Sequence, residues 1–222
     1  MKLKKVLFYL LAALLGGCVL SIHPLYTANV LVFEEKLLGV WIGDDSRWEF
    51  KIGKDENPYA AFGGGKRQDG KRFYSLTIDQ DEKQTKRGEF VAHLVKLDDT
   101  LFLDLFPAEP NLASDFYKFH LLPVHSFIKV EQIDPTLKMR MSDSSKFEKM
   151  LAKDPNIIDF EAASERIVLT AEPNELQEFL RKHANNENFF GDPFELKRFE
   201  PAEPNKPVDA DPNGSSKEIP AQ

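Results

Sequence analysis

Apolar and polar residues alternate along much of the stretch from 30 to 141. Residues 47–52 place Trp48, Phe50 and Ile52 on one face and Arg47, Glu49 and Lys51 on the other. Residues 73–78 repeat the pattern, with Tyr74, Leu76 and Ile78 opposite Ser75 and Thr77. A strict period of two marks a strand with one wet face. Residues 30–33 and 37–42 add short apolar runs. Residues 89–97 and 100–106 are apolar on both faces. Asp98-Asp99 between them is a tight-turn signal and predicts a hairpin. Residues 126–133 and 137–141 flank Asp134-Pro135 and predict a second hairpin. Asp104 falls between Phe102 and Phe106 on one strand face, and the expectation is that it faces water at a barrel wall. Residues 63–66, 68–70 and 80–87 read as polar loops, and 107–115 as a longer connection holding a helical turn.

After residue 141 the period changes. Ser145-Lys146-Phe147-Glu148 has capping-box spacing, and Phe147, Met150 and Leu151 recur at helical intervals, predicting a helix over 144–153. Residues 166–169 read as one more strand. Thr170 to Pro173 offers an N-cap and a first-turn proline. Leu176, Phe179 and Leu180 stripe the helix that follows. Arg181, Lys182 and His183 stand at its end, where the dipole favours cations. The fold class expected is mainly β (α+β): an antiparallel meander or small barrel of seven to eight strands, followed by two C-terminal helices.

The start of the chain follows a different rule. Met1 to Lys5 is basic, residues 6–15 carry no charge, and Gly16, Gly17 and Cys18 follow, the order of a secretory signal peptide. Leu15-Gly16-Gly17-Cys18 resembles the lipobox of bacterial lipoproteins. That resemblance implies cleavage before Cys18, a diacylglyceryl group on its sulfur and an acyl chain such as palmitate on its new amine. Two or more chains anchor a protein stably without a spanning helix. Val19, rather than aspartate, follows the cysteine, which by the same resemblance implies the outer membrane, facing the periplasm. Cys18 is the sole cysteine of 222 residues. Lipidation would remove a thiol that invites mispairing in an oxidising compartment.

The division expected is a signal peptide over 1–17, a lipidated cysteine and short linker over 18–29, a β domain over 30–141, a helical part packed on it over 142–199, and a tail over 200–222. The tail holds five prolines and no aromatic residue, so it lacks the apolar area to offset its ordering entropy and is expected to be disordered. Removing residues 1–17 takes three of the 29 basic residues and leaves 36 acidic ones, a formal charge of about −10. That balance argues against nucleic acid and against electrostatic docking on anionic headgroups.

Residues 34–41, Glu-Glu-Lys-Leu-Leu-Gly-Val-Trp, resemble the opening of a lipocalin-like barrel, in which a short turn precedes Gly-x-Trp at the start of the first strand. There the tryptophan closes one barrel end, usually under an arginine from the last strand. The resemblance casts Trp41 as that tryptophan and Arg140 as its partner, with the layout covering roughly residues 34–141.

Candidate chemistry is sparse. The histidines are His23, His93, His120, His125 and His183. None forms a metal-ligand motif, and Pro123 between His120 and His125 denies that pair a common helix or strand face. Gly63-Gly64-Gly65-Lys66 lacks phosphate-loop spacing, since Arg67 follows the lysine. No catalytic residue, metal or cofactor is expected. Two functions stand: a non-catalytic binding or envelope-structural module for an apolar ligand or an envelope partner, or an envelope hydrolase using His93, His120 or His125. Convergent polar groups in a pocket would mark the second, and an apolar cavity or patch the first.

Overall fold

The computed structural model describes residues 17–53, 73–81, 85–108, 115–118, 120–163 and 166–200. The residues before Gly17 expected to form a signal peptide, the expected glycine-bearing loops at 63–66 and 68–70, and the expected tail from 201 lie outside the described residues.

Among these residues twelve strands form: β1 (Leu20–Ser21), β2 (Leu31–Val32), β3 (Gly39–Ile42), β4 (Arg47–Ile52), β5 (Tyr74–Asp79), β6 (Arg87–Leu97), β7 (Thr100–Pro107), β8 (His125–Gln132), β9 (Thr136–Met141), β10 (Phe160–Ala163), β11 (Arg166–Leu169) and β12 (Phe194–Arg198). A 3-10 turn spans Glu35–Leu37. Three short helices are α1 (Asp115–Lys118), α2 (Ser144–Leu151) and α3 (Pro173–His183).

Eight strands close into an antiparallel barrel in the order β3-β4-β5-β6-β7-β8-β9-β12, with β12 pairing back onto β3. The fold is therefore mainly β, and the barrel alternative to an open meander is the one realised. Both expected hairpins form: β6 and β7 meet around Asp98, whose φ is 54°, and β8 and β9 meet around Asp134-Pro135.

The barrel is not contained in residues 30–141. Its eighth strand is β12, which lies beyond both later helices. Phe194 and Leu196 turn inward while Glu195 and Lys197 turn out, a signal of only two apolar positions. The two helices after the barrel's β9 start close to expectation. The side chain capping α2 is Asp143 rather than Ser145: Asp143 accepts from the Lys146 N–H at 3.0 Å. Glu172 caps α3 with Glu175 in a capping box and Pro173 in the first turn.

Two apolar cores lie on opposite faces of the barrel wall. The barrel interior is packed with Trp41, Trp48, Phe50, Tyr74, Leu76, Leu94, Leu103, Ile128, Leu137 and Met139. Outside the wall, Val95, Leu97, Phe102 and Phe127 meet Val19, Leu25 and Val30 of the N-terminal segment and Phe147, Leu176, Phe179 and Phe189 of the helical cover. Successive residues of a strand face opposite ways. Strands β6 to β8 therefore feed both cores, which explains why they are apolar on both faces.

Candidate functional site

Two places combine specific polar contacts with long-range placement: the barrel closure and the lock on the N-terminal segment.

At the closure, Trp41 is fully buried and its indole N–H donates to the Leu37 carbonyl at 2.9 Å. Arg198 from β12 covers it, with the guanidinium carbon 4.1 Å from the ring centroid. The same guanidinium donates to the Leu38 carbonyl at 2.9 Å and to the Lys36 carbonyl. It thus ties the end of the last strand to the 3-10 turn that opens the first. Tyr74 fixes the start of that turn: its hydroxyl donates to the Glu34 carbonyl at 3.1 Å and accepts from the Glu34 N–H at 2.7 Å. Burial pushes the Tyr74 hydroxyl up to about 12, so it stays protonated and able to donate. Gly39 has φ 113°, and a Cβ there would stand 3.1 Å from Arg198 Nη1. Glycine is therefore required by backbone conformation and tightly favoured by space.

Arg140 does not take the part cast for it. Its Nε lies 2.7 Å from Glu131 on the neighbouring strand, and its Nη1 donates to the Gly191 carbonyl at 3.1 Å. The reason is positional: β12 stands between β9, which carries Arg140, and β3, which carries Trp41.

The second place is a polar row inside the outer core. Register sets His93 opposite Asp104, Asp104 opposite Phe127, and His125 opposite Ser21 across β6, β7, β8 and β1. Directly opposed residues share a face, so all four polar side chains point under the cover. Asp104 is fully buried, contrary to the expectation of a wet position. One carboxylate oxygen lies 2.6 Å from His125 Nδ1, and the other accepts the Leu25 N–H at 2.6 Å. Tyr26 stacks on His93 with centroids 4.1 Å apart, and Phe106 packs against His125 at 4.6 Å. Gln177 of α3 donates to the Leu25 carbonyl at 2.9 Å. The residues after Cys18 are thereby locked from both sides. Val19 is buried, and its N–H donates to Ser142 Oγ at 3.0 Å. The expected linker over 18–29 is part of the fold.

The histidines scatter otherwise. His93 on β6 and His125 on β8 stand on either side of Asp104, with β7 between them. His120 sits on an exposed turn against Phe116. His23 lies 3.6 Å from Glu172. His183 faces Phe179, and burial followed by the nearby Lys182 charge lowers its pKa. No group of three or more potential metal ligands occurs among the described residues.

Three clefts open on the described residues. One of about 290 Å³ lies between α3 and residues 156–159. One of about 670 Å³ lies at the 42–47 and 79–81 turns, and one of about 550 Å³ beside β12. None of these three is lined by Trp41, Phe50, Asp104, His93 or His125. Among the described residues no helix is long and apolar enough to cross a membrane.

The class these features define is a mainly β protein on a closed eight-stranded antiparallel barrel. Comparison with family models, curated proteins and solved structures found no match.

Proposed function

We propose that the chain is a lipid-anchored lipoprotein of the bacterial cell envelope, held through Cys18, whose barrel is a non-catalytic structural or binding module. The anchor reading rests on the signal pattern ending at Cys18, and the outer membrane on Val19. The observation that carries the choice of module is the packed barrel interior. Small barrels either fill with side chains or hold one small ligand. Trp41, Phe50, Tyr74 and Leu76 of the interior core are each at most 1 % exposed, which favours an envelope protein as partner over an enclosed apolar ligand. The Trp41–Arg198 closure supports the lipocalin-like resemblance in architecture.

The hydrolase reading needs its histidines on an accessible site. His93 and His125 are 1 % and 3 % exposed; His120 is exposed but packs against Phe116 on a turn outside the Asp104–His125 pair, and the buried Ser21 Oγ–H donates a hydrogen bond to the His23 carbonyl at 2.8 Å. Asp104 and His125 read better as a lock than as a catalytic pair.

The test is Cys18→Ser in the native host. Loss of lipid labelling and of processing is expected, and an unchanged mature mass would refute the anchor. Bound lipid carried by the purified barrel would restore the ligand form. Metal-dependent hydrolysis abolished by His125→Ala would restore the enzyme.

A further inference from the structure

Residues 17–19 are held against the start of α2. The Ser144 N–H donates to the Gly17 carbonyl at 3.0 Å, the Val19 N–H donates to Ser142 Oγ at 3.0 Å, and Cys18 Sγ lies 3.6 Å from Met141 Sδ. Asp143 takes other donors of the first turn: its carboxylate accepts the Lys146 N–H at 3.0 Å and its carbonyl the Phe147 N–H at 2.9 Å. The Ser144 N–H, at the first helical position, is served by Gly17. A first-turn N–H needs an acceptor from outside the helix, and here a carbonyl already fills that place.

Hydrolysis of the Gly17–Cys18 bond would take this acceptor away. Gly17 would leave with the new carboxylate, and Cys18 would keep an amine, a charged donor near neutral pH. That amine would face a backbone donor at the positive end of a helix dipole, with the Ser144 N–H orphaned next to the buried Val19. An acyl group on the amine reverses this. Transfer from an acyl ester forms the N–C bond, breaks the ester C–O bond and sends an amine proton to the departing alcohol. The product is an amide on Cys18 N whose carbonyl has the covalent position of Gly17's. Glycine makes the match closer, because its Cα is a methylene, as is the second carbon of a fatty acyl chain. Gly17 is exposed, so the rest of such a chain has a way out of the fold.

Resting on the anchor reading, we propose that the N-acyl carbonyl of mature Cys18 takes the place of the Gly17 carbonyl and accepts the Ser144 N–H. The acyl amide is then a built part of the fold at the start of α2, and the anchor is joined rigidly to that corner. The amine is acylated in the folded protein, giving three chains with the two on the glyceryl group.

The mature lipoprotein, purified in detergent from its host, is compared with the unprocessed Cys18→Ser chain, which keeps Gly17. Intact mass counts the acyl chains, and amide hydrogen exchange is read at Ser144. Three chains are expected, with Ser144 exchanging within about fivefold of its rate in the unprocessed chain, the factor that one ordinary hydrogen bond is worth. Faster exchange with three chains present would overturn the seat at Ser144. Two chains and a free amine would overturn the acyl carbonyl. Ser144→Pro gives a second reading: Asp143 has φ −114° and ψ 111°, the extended backbone that a residue before proline needs, and the first helical position accepts proline. Removing the donor should shift the melting temperature equally in both forms, and a shift in the unprocessed chain alone would contradict the proposal. A mass without lipid would overturn the anchor, and this inference with it.

Discussion

Arg198 spans the seam of the barrel: its guanidinium lies over the Trp41 ring at 4.1 Å while donating to the carbonyls of Lys36 and Leu38. One side chain on the last strand thus holds the first strand's entry turn. Arg198→Ala removes a cation–π contact and two charge-assisted hydrogen bonds, and should cost about 2–3 kcal/mol. Arg198→Lys should recover only part, because an ammonium lacks the planar fork. Arg140→Ala breaks a partly exposed pair with Glu131 and one hydrogen bond to the Gly191 carbonyl, with no buried ring beneath it, and should cost about 1–2 kcal/mol. Urea denaturation of the three variants gives the ranking, and a reversal of Arg198 and Arg140 would contradict this account of the closure.

Asp104→Ala should be among the most damaging single changes on the outer face. It leaves the Leu25 N–H and the His125 ring without their acceptor inside a core, at a cost of about 3–5 kcal/mol. The damage should begin locally. Hydrogen exchange should show residues 19–31 opening before the barrel strands do. Uniform loss of protection across β3 to β5 would mean that Asp104 supports the barrel itself rather than the lock.

Asp79 contributes a pH dependence at the turn end of β5. Hydrogen bonds from Arg87 at 2.7 and 3.2 Å hold its carboxyl below its ordinary value against the opposing effect of burial, with Arg47 adding to the shift. A carboxylate with a depressed folded pKa contributes stability that is complete above its unfolded value, about 3.9, and is lost as pH falls through the folded value. Asp79→Asn should therefore lower the melting temperature by a constant amount at neutral pH. The gap to the parent protein should close below about pH 4. A gap that persisted in acid would point to packing rather than charge.

Phe50→Ala should cost about 3–5 kcal/mol, because it opens a cavity in a filled barrel. The parent protein should not enhance the emission of an apolar fluorophore, whereas the variant's new cavity gives the dye a site. Strong uptake by the parent protein would show an accessible interior and return the apolar-ligand reading.

The amino-acid sequence by itself determined the elements whose signals are local. Alternation at 47–52 and 73–78 requires only that one face be wet, and the hairpin turns at Asp98-Asp99 and Asp134-Pro135 join immediate neighbours. Pro173 and the Leu176, Phe179, Leu180 stripe announce α3 without reference to anything else. The Gly-Val-Trp opening pointed to a closure, but the arginine above it was a matter of strand order. Only the tertiary structure placed β12 between β9 and β3 and so chose Arg198 over Arg140. Asp104 looks wet in sequence because its strand carries one charge. It is buried because Leu25, distant in sequence, brings a backbone N–H to it under the helical cover. The same long-range pairing of β1 with β8 turned an expected linker into a locked segment. Periodicity records which face of a strand is apolar; it holds no information on which distant segment will cover that face or satisfy a charge within it.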